Sequence, residues 1–576
     1  MNLEKLSKII KVAKGQEKAD LVIKNCQIVN PITKSIRKAD IAIQDGIIAG
    51  CGIYTGISEI DANGLFATAG LIDAHVHIES SMCSPEAFAE MVIPQGTTQV
   101  IADPHEIANV KGVDGIHFMM NSARKTPLKV TFMIPSCVPA TDFEDSGASI
   151  SPEDVEQLLC EPSIGGLGEM MNSTGVCNAD SSVLQKISET LQKNKIIDGH
   201  APNLNKNELN AYCAAGILTD HECVNPEEVK ARLENGMYVL FRQGSAAKNL
   251  KDLIPALSES NSRHCLMCSD DKHPQDILNF GHMNDNLRIA VSHGIDYFTA
   301  IAMATINTAE CYNLKNTGLI APGYKADIVL WNNLKDFKAE KVFINGILQA
   351  DSKKNLFKIL NRLDKGMTHT VNIKPFTNED LKIKLKSENV KVISLIPHSI
   401  ITKCSIRKVQ LNNGIFDFQK NKDIQKLVVM ERHKATGKIG LALIENYGIH
   451  GGAIATTIAH DSHNIIAVGD NDDDIKKSID ELNEIGGGIV LVSKSEVLGK
   501  LSLPIAGLMS EKSGKETAST LKELLEIAYT KLSISRKIEP FMTLSFLALP
   551  VIPELKLTAR GLFDVNNFRF TKIEKD

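Results

Sequence analysis

The 576-residue sequence predicts an α/β protein: a (β/α)8 TIM-type barrel with an accessory β-sandwich built from both flanks and an additional C-terminal α/β domain. Three observations predict it. Between residues 70 and 315 a short apolar run, a polar or glycine-containing end and a helix-compatible stretch recur eight times. Strands alternating with helices imply parallel pairing, and eight repeats of this length fit a closed barrel. Short β-branched runs of similar texture lie on both sides of that block, and the texture changes again after residue 370. The expected divisions are 1–69, 70–315, 316–370 and 371–576. An open doubly wound sheet is the second choice, disfavoured because no GxGxxG turn is present.

From Ala19 the text "ADLVIKNCQIVNPITKSIRKADIAIQDGIIAGCG" alternates β-branched runs with Asn-Pro and Asp-Gly turn signals, a small antiparallel unit. "GYKADIVLWNNLKDFKAEKVFINGILQA", residues 323–350, repeats that texture. The two pieces are expected to complete one sheet. The eight barrel runs are "GLIDAHVH", "TTQVIADP", "LKVTFMIPSCVP", "IGGLGEMM", "KIIDGHAP", "GILTDHE", "MYVLFRQGS" and "HCLMCSDD". Serines before Pro85 suit a helix start. After a connector over 351–370, "KVISLIP" and "KLVVMER" read as strands, and "NDDDIKKSIDELNE" reads as an acidic helix.

Hydrophobic residues make up 43% and charged residues 23%, the balance of a soluble globular protein. A formal net charge of −5 offers no basic surface to nucleic acid or to an anionic membrane. The amino terminus lacks the apolar stretch of a secretory signal, and no run approaches the roughly 20 apolar residues of a membrane span. A cytoplasmic location is expected. The 12 cysteines, scattered from Cys26 to Cys404, agree with a reducing compartment. Cys265 and Cys268 have CxxC spacing but no second ligand pair nearby in sequence, so they are expected to pack within a strand.

In a β-strand residues i and i+2 share a face. His75 and His77 could therefore reach one ion from the end of the first barrel strand, although the triplet alone fits an exposed loop equally well. Functional groups in a barrel gather at the carboxyl ends of the strands. There the sequence places His75 and His77 on strand one, Glu169 on strand four, His200 on strand five, His221 on strand six, and Asp270 with Asp271 on strand eight. Each has a plain structural reading: His200 as a turn residue, His221 in an ion pair with Glu222, Asp270 as a helix cap. Their shared topological position favours a metal site. Ten of the 16 histidines fall between His75 and His293, so the enrichment follows the barrel. Four histidines and two shared carboxylates suffice for a pair of hydrolytic divalent ions.

The order HxH, strand-four acid, His, His, Asp resembles the amidohydrolase superfamily. "HVHIESS", "ADPHEIANV", "PSCVPATDFEDSGA", "GLGEMMN", "DGHAP", "RQGSAAKN", "CSDDKHP" and "HDSHNIIAVG" resemble its bacterial adenine deaminase branch from end to end. The resemblance implies that His75 and His77 hold the more buried metal and His200 and His221 the more exposed one, with Glu169 bridging and Asp270 closing the site. Glu169 stands where many relatives of that superfamily carry a carboxylated lysine. The implied reaction is hydrolysis of adenine to hypoxanthine and ammonia by a metal-activated hydroxide, a purine salvage step, with Asp270 moving the proton. Another amidohydrolase activity, on a cyclic amide or an N-acyl substrate, is the alternative. Manganese is the implied metal in a binuclear site, with iron or zinc also admissible, and a homo-oligomer, dimer or higher, is the expected assembly.

Other residues keep two readings. Asp271 is either the proton shuttle or a brace for Asp270. His105 and Glu106 are expected to contact purine or metal, and Glu79 is a candidate neighbour of either. Arg242, Gln243 and Ser245 line the pocket or hold a loop, with substrate binding given to Arg242 and Ser245. His460, Asp461 and His463, with His450 ten residues earlier, read as a turn packed against the barrel mouth or a neighbouring subunit rather than a second metal site. Cys83 reads as packing.

Overall fold

The computed structural model describes residues 2–359, 365–397 and 399–575. A helix, Leu3–Ala13, precedes β1 (Ala19–Asn30), β2 (Ser35–Gln44), β3 (Ile47–Gly52), β4 (Gly56–Asp61) and β5 (Phe66–Ala69). The barrel strands follow: β6 (Leu71–Val76), β7 (Thr97–Ala102), β8 (Lys129–Ile134), β9 (Ile164–Met170), β10 (Ile196–Gly199), β11 (Thr219–Asp220), β12 (Tyr238–Arg242) and β13 (Cys265–Cys268). All eight fall on the runs read from the sequence. Two parallel ladders build them, β10-β9-β8-β7-β6 and β11-β12-β13. The ring closes at one seam through Leu218 N to Ile197 O, 3.0 Å. At the other, Asp270 N donates to His75 O at 2.9 Å and His77 N to Asp270 O at 3.3 Å.

β14 (Ile328–Trp331), β15 (Ala339–Ile344), β16 (Ile347–Asp351) and β17 (Lys354–Asn355) return to the first flank. β14 pairs antiparallel with β5, placing Ile328 opposite Ala69 and Trp331 opposite Phe66, and one nine-stranded sheet results, with β4 branching from β1. Ile23, Ile41 and Ile43 from one flank share an apolar cluster with Ile328, Leu330 and Phe343 from the other. The unit is not purely antiparallel: β1 pairs parallel with β4 and β5, because the loops after β3 and β4 carry the chain back in the direction of β1. Trp331, fully buried, packs edge-on against Phe337 and donates from Nε1 to Thr68 Oγ1 at 2.8 Å. It belongs to the apolar cluster of the barrel and so joins the two units.

Beyond the connector an eight-stranded sheet runs β19-β18-β23-β22-β25-β24-β26-β27, with β18 (Asn389–Leu395), β19 (Thr402–Lys408), β22 (Ile424–Met430), β23 (Ile439–Glu445), β24 (Ala453–Thr456), β25 (Ile465–Gly469), β26 (Gly488–Ser493) and β27 (Glu496–Ser502). The short hairpin β20 (Leu411–Asn412) and β21 (Ile415–Phe416) forms a separate two-stranded sheet, and β28 (Leu555–Thr558), β29 (Gly561–Asp564) and β30 (Arg569–Phe570) form a last small sheet. This part is richer in sheet than in helix. The acidic helix is present as Asp472–Glu484; Asn471 caps it by accepting from Asp474 N, and three aspartates in the first turn complement the positive end of the helix dipole. Ser84 likewise caps the helix Pro85–Val92. Cys83, Cys265 and Cys268 are buried, and none is bonded to another cysteine. No helix among the described residues is long and apolar enough to cross a membrane.

Trp331→Ala should lower unfolding stability by about 3–5 kcal/mol, the range for emptying a buried aromatic site, read as a fall in denaturant midpoint at unchanged slope.

Candidate active site

The carboxyl ends of the barrel strands converge on Glu169, which is 3% exposed at the end of β9. Its two oxygens divide the surrounding imidazoles between them. Oε1 lies 3.4 Å from His77 Nε2 and 3.1 Å from His105 Nδ1. Oε2 lies 2.9 Å from His200 Nδ1 and 3.2 Å from His221 Nε2. The same His77 Nε2 is 3.1 Å from His75 Nε2 and 3.1 Å from Asp270 Oδ1. Among the described residues the donor sets that could hold an ion include His75, His77 and Asp270; His75, Glu169 and His221; and His200, His221 and Glu222.

These donors fit divalent ions. Two ligands each about 2.0–2.2 Å from one tetrahedral ion stand about 3.4 Å apart, close to the spacings above. His77 Nδ1 donates to the Asp103 carbonyl at 2.9 Å, so the lone pair is left on Nε2, the atom that faces the other donors. His75 and His77 share a face because they are two apart along the strand end. Glu169 stays anionic: burial alone would raise its pKa, but hydrogen bonds from His105, His200 and His221 hold it well below the usual carboxylate range.

Asp270 follows β13 with a left-handed backbone, φ 55°, a conformation that L side chains seldom adopt. There its amide and carbonyl close the barrel seam while its carboxylate points to His77. Arg242 Nη1 donates to Asp270 Oδ2 at 3.0 Å and also to Glu222 Oε1. Against burial, the His77 contact and the Arg242 charge keep Asp270 well below the ordinary value.

The other residues singled out in sequence separate into two groups. Glu79, Glu106 and Asp271 line one cavity, while His105 lies beside Glu169 and is not part of that lining. Glu79 Oε1 accepts from Ile107 N at 3.2 Å, Oε2 is buried without a protein partner, and burial pushes its pKa up to about 7. Asp271 Oδ1 accepts from Ser80 Oγ at 2.5 Å. Arg242 and Ser245 do not line that cavity. Arg242 braces Asp270 and Glu222. Ser245 Oγ bonds Asp276 Oδ2 at 2.6 Å and accepts from His273 N at 2.9 Å, which holds the loop after β13.

The roof comes from the C-terminal part. His460 Nδ1 is 2.6 Å from Glu106 Oε1, His463 Nε2 donates to Glu106 Oε2, and Asp461 Oδ1 is 3.9 Å from His105 Nε2. Ile458, Ile489, Leu508, Phe541 and Phe546 make the apolar side of the same cavity. The histidine turn thus packs on the barrel mouth of its own chain. His450 is exposed.

Sequence reading passed over Glu222, whose carboxylate is 3.7 Å from His200 Nδ1 and 3.6 Å from His221 Nε2, because a side chain next to a histidine suggested a surface ion pair. It also passed over Asp103, which accepts from Glu169 N at 3.0 Å. Its place at the end of β7 was the available signal.

Comparison with known proteins gives the family. Residues 66–348 match the amidohydrolase family, and residues 399–569 match the adenine deaminase C-terminal domain. An adenine deaminase of Clostridium acetobutylicum is 48% identical over 97% of this chain and 99% of its own. The chain belongs to the adenine deaminase family. An adenine deaminase of Nitratidesulfovibrio vulgaris is 46% identical over 99% of both chains, and an adenine deaminase 2 of Desulfotalea psychrophila is 45% identical over the whole of both. Within this adenine deaminase family member, the segment matching the C-terminal domain includes the turn that roofs the barrel.

Because Glu79 titrates near 7 when folded and near 4.5 when unfolded, the folded state binds the extra proton between those values and loses that advantage as pH rises. Glu79→Gln should therefore remove a pH-dependent loss of about 3 kcal/mol between pH 5 and pH 8, seen as thermal stability that falls less across that range than in the wild type.

Proposed function

We propose that this chain hydrolyses adenine to hypoxanthine and ammonia in purine salvage. The observation that carries the reading is the convergence of His75, His77, His200, His221 and Asp270 around Glu169, next to a cavity lined by Asp271, the residue after Asp270, by Glu79 and Glu106, and by apolar side chains. Membership of the adenine deaminase family supports the same substrate. In this reading His75, His77 and Asp270 would hold one divalent ion and His200 and His221 a second, with Glu169 shared between the two sets. Bound divalent ions would supply Lewis acidity and bring the pKa of water toward 7. Manganese is the proposed metal, with iron or zinc as alternatives.

The protein groups divide the remaining work. Asp270, kept anionic by His77 and Arg242, takes a proton from the attacking water. Water adds at C6 as the N1–C6 π bond opens and N1 takes a proton; the C6 carbonyl then forms as the exocyclic C6–N bond breaks, and the proton held by Asp270 leaves with ammonia. Asp271 is placed to brace the loop and to face the base, since its carboxylate is held by Ser80. Glu79 and Glu106 face the cavity; Glu79, when protonated, suits donation to a ring nitrogen, and the Glu106 carboxylate suits acceptance from the exocyclic amine or a ring N–H. The apolar wall of Ile458, Phe541 and Phe546 suits an unsubstituted purine edge and disfavours a ribose. A cytoplasmic homo-oligomer and the domain limits 1–69, 70–315, 316–370 and 371–576 belong to the same proposal.

Two measurements test it. Ammonia release by the manganese-loaded protein should be fastest with adenine when adenine, adenosine and cytosine are compared; adenosine turnover above adenine would overturn the substrate, and ring opening of a cyclic amide would favour the alternative. His200→Ala should abolish turnover and lower bound metal from two ions toward one while circular dichroism is unchanged. Full activity with full metal content in that variant would remove His200 from the site.

A further inference from the structure

The role of the C-terminal turn in the proposed reaction turns on two histidines. His463 has both ring nitrogens committed: Nδ1 accepts from Ala459 N at 3.2 Å, and Nε2 donates to Glu106 Oε2. An ion on that Nε2 would require an imidazolate, so Glu106, His460 and His463 are better suited to a hydrogen-bonded cluster than to a third metal. His460 differs. Its Nδ1 is engaged by Glu106 Oε1 at 2.6 Å, while no protein group among the described residues bonds its Nε2. The ring stacks on Phe546 with centroids 4.6 Å apart and planes 19° from parallel, and its amide donates to Ser545 O at 3.1 Å. It lines the cavity beside Glu79 and Asp271.

We infer that His460 contacts the bound base directly, its Nε2–H donating to a ring nitrogen of the purine, so that the C-terminal part completes the active site. The inference deepens the proposed adenine deamination and rests on it. Burial disfavours the imidazolium, but the carboxylates of Glu106, Asp271 and Asp461 outweigh burial and push the His460 pKa up to about 9. Both nitrogens then carry protons at neutral pH, and each ring nitrogen of adenine with a free lone pair is a matching acceptor. Several anchors hold the turn against the base. Arg432, fully buried, donates to the carbonyls of His463 and Ala506 and to Thr370 Oγ1. Arg560 on the last small sheet grips Asp145 with Nε and Nη2, each at 3.0 Å, and Asn464 Nδ2 bonds the Asp145 carbonyl at 2.9 Å.

Asparagine and glutamine separate the two ends of the ring. His460→Asn keeps a polar group near the Nδ1 position and removes the cavity-facing one; His460→Gln keeps a donor near Nε2 and weakens the pairing with Glu106. With the metal-loaded full chain, equal metal content and matched circular dichroism, KM for adenine and the dissociation constant of hypoxanthine are measured for both. The asparagine variant is expected to weaken both constants about 10- to 100-fold, the range for losing a hydrogen bond to a charged group, while the glutamine variant retains most of the affinity. Of the three analogues of adenine in which one lone-pair ring nitrogen, N1, N3 or N7, is replaced by carbon, one should bind the wild type and the asparagine variant equally, marking the contacted atom. Phe546→Leu, which unclamps the ring without touching Glu106, should raise KM in the same direction. Wild-type affinity in the asparagine variant, or equal loss in both variants, would overturn the inference. Failure of the unaltered chain to release ammonia from adenine would instead overturn the deaminase reading.

Discussion

A single buried carboxylate governs this structure. Glu169 sits among His77, His105, His200 and His221, and an unpaired charge in that position would be strongly destabilising. The imidazoles on both oxygens offset its burial, and Asp103 fixes its backbone from below. Six of the eight barrel strands are tied to this arrangement through residues at or just beyond their ends: His77 after β6, Asp103 and His105 after β7, Glu169 on β9, His200 after β10, His221 after β11 and Asp270 after β13. The ring of strands and the ring of donor side chains are therefore one construction.

The closing seam of the barrel shows this most directly. Asp270 bonds the backbones of His75 and His77 while its carboxylate faces His77 Nε2. A left-handed residue that exchanges backbone hydrogen bonds with the opposite strand end can reach inward only if the seam is intact. Closure of the fold and placement of the proposed proton-transfer group depend on the same few atoms. Arg242 links this corner to Glu222, so the loops after β11, β12 and β13 share one charged network.

The C-terminal part solves a different physical problem. A barrel mouth open to water would hydrate every charge in the cluster and weaken its interactions. The apolar wall around Phe541 and Phe546 and the polar turn at His460 to His463 cover the opening in complementary ways. The apolar side excludes water, and the turn supplies Glu106 with two imidazole partners. Arg432 and Arg560, one buried and one bidentate, keep that roof in register with the barrel.

Much of this was legible from residue order alone. The eight barrel strands, the flanking pieces that share a sheet, the cap at Ser84 and the helix starting at Asp472 follow from periodicity and local hydrogen bonding, which act over a few residues. The cluster at the strand ends was legible for the same reason: the topology of a barrel brings every strand end to one mouth, so a list of terminal residues is already a list of neighbours. The parallel pairing of β1 with β4 and β5, the division of Glu169 between two pairs of histidines and the bracing role of Arg242 depended on packing. So did the meeting of Glu106 with His460 and His463, partners more than 350 positions away in sequence. Such contacts are selected by shape and desolvation across the whole fold, and no local pattern carries them. The sequence by itself determined the secondary elements and which residue types reach the mouth; the tertiary structure decided which of them touch, because only in the folded chain does burial make an unpaired charge too unfavourable to leave alone.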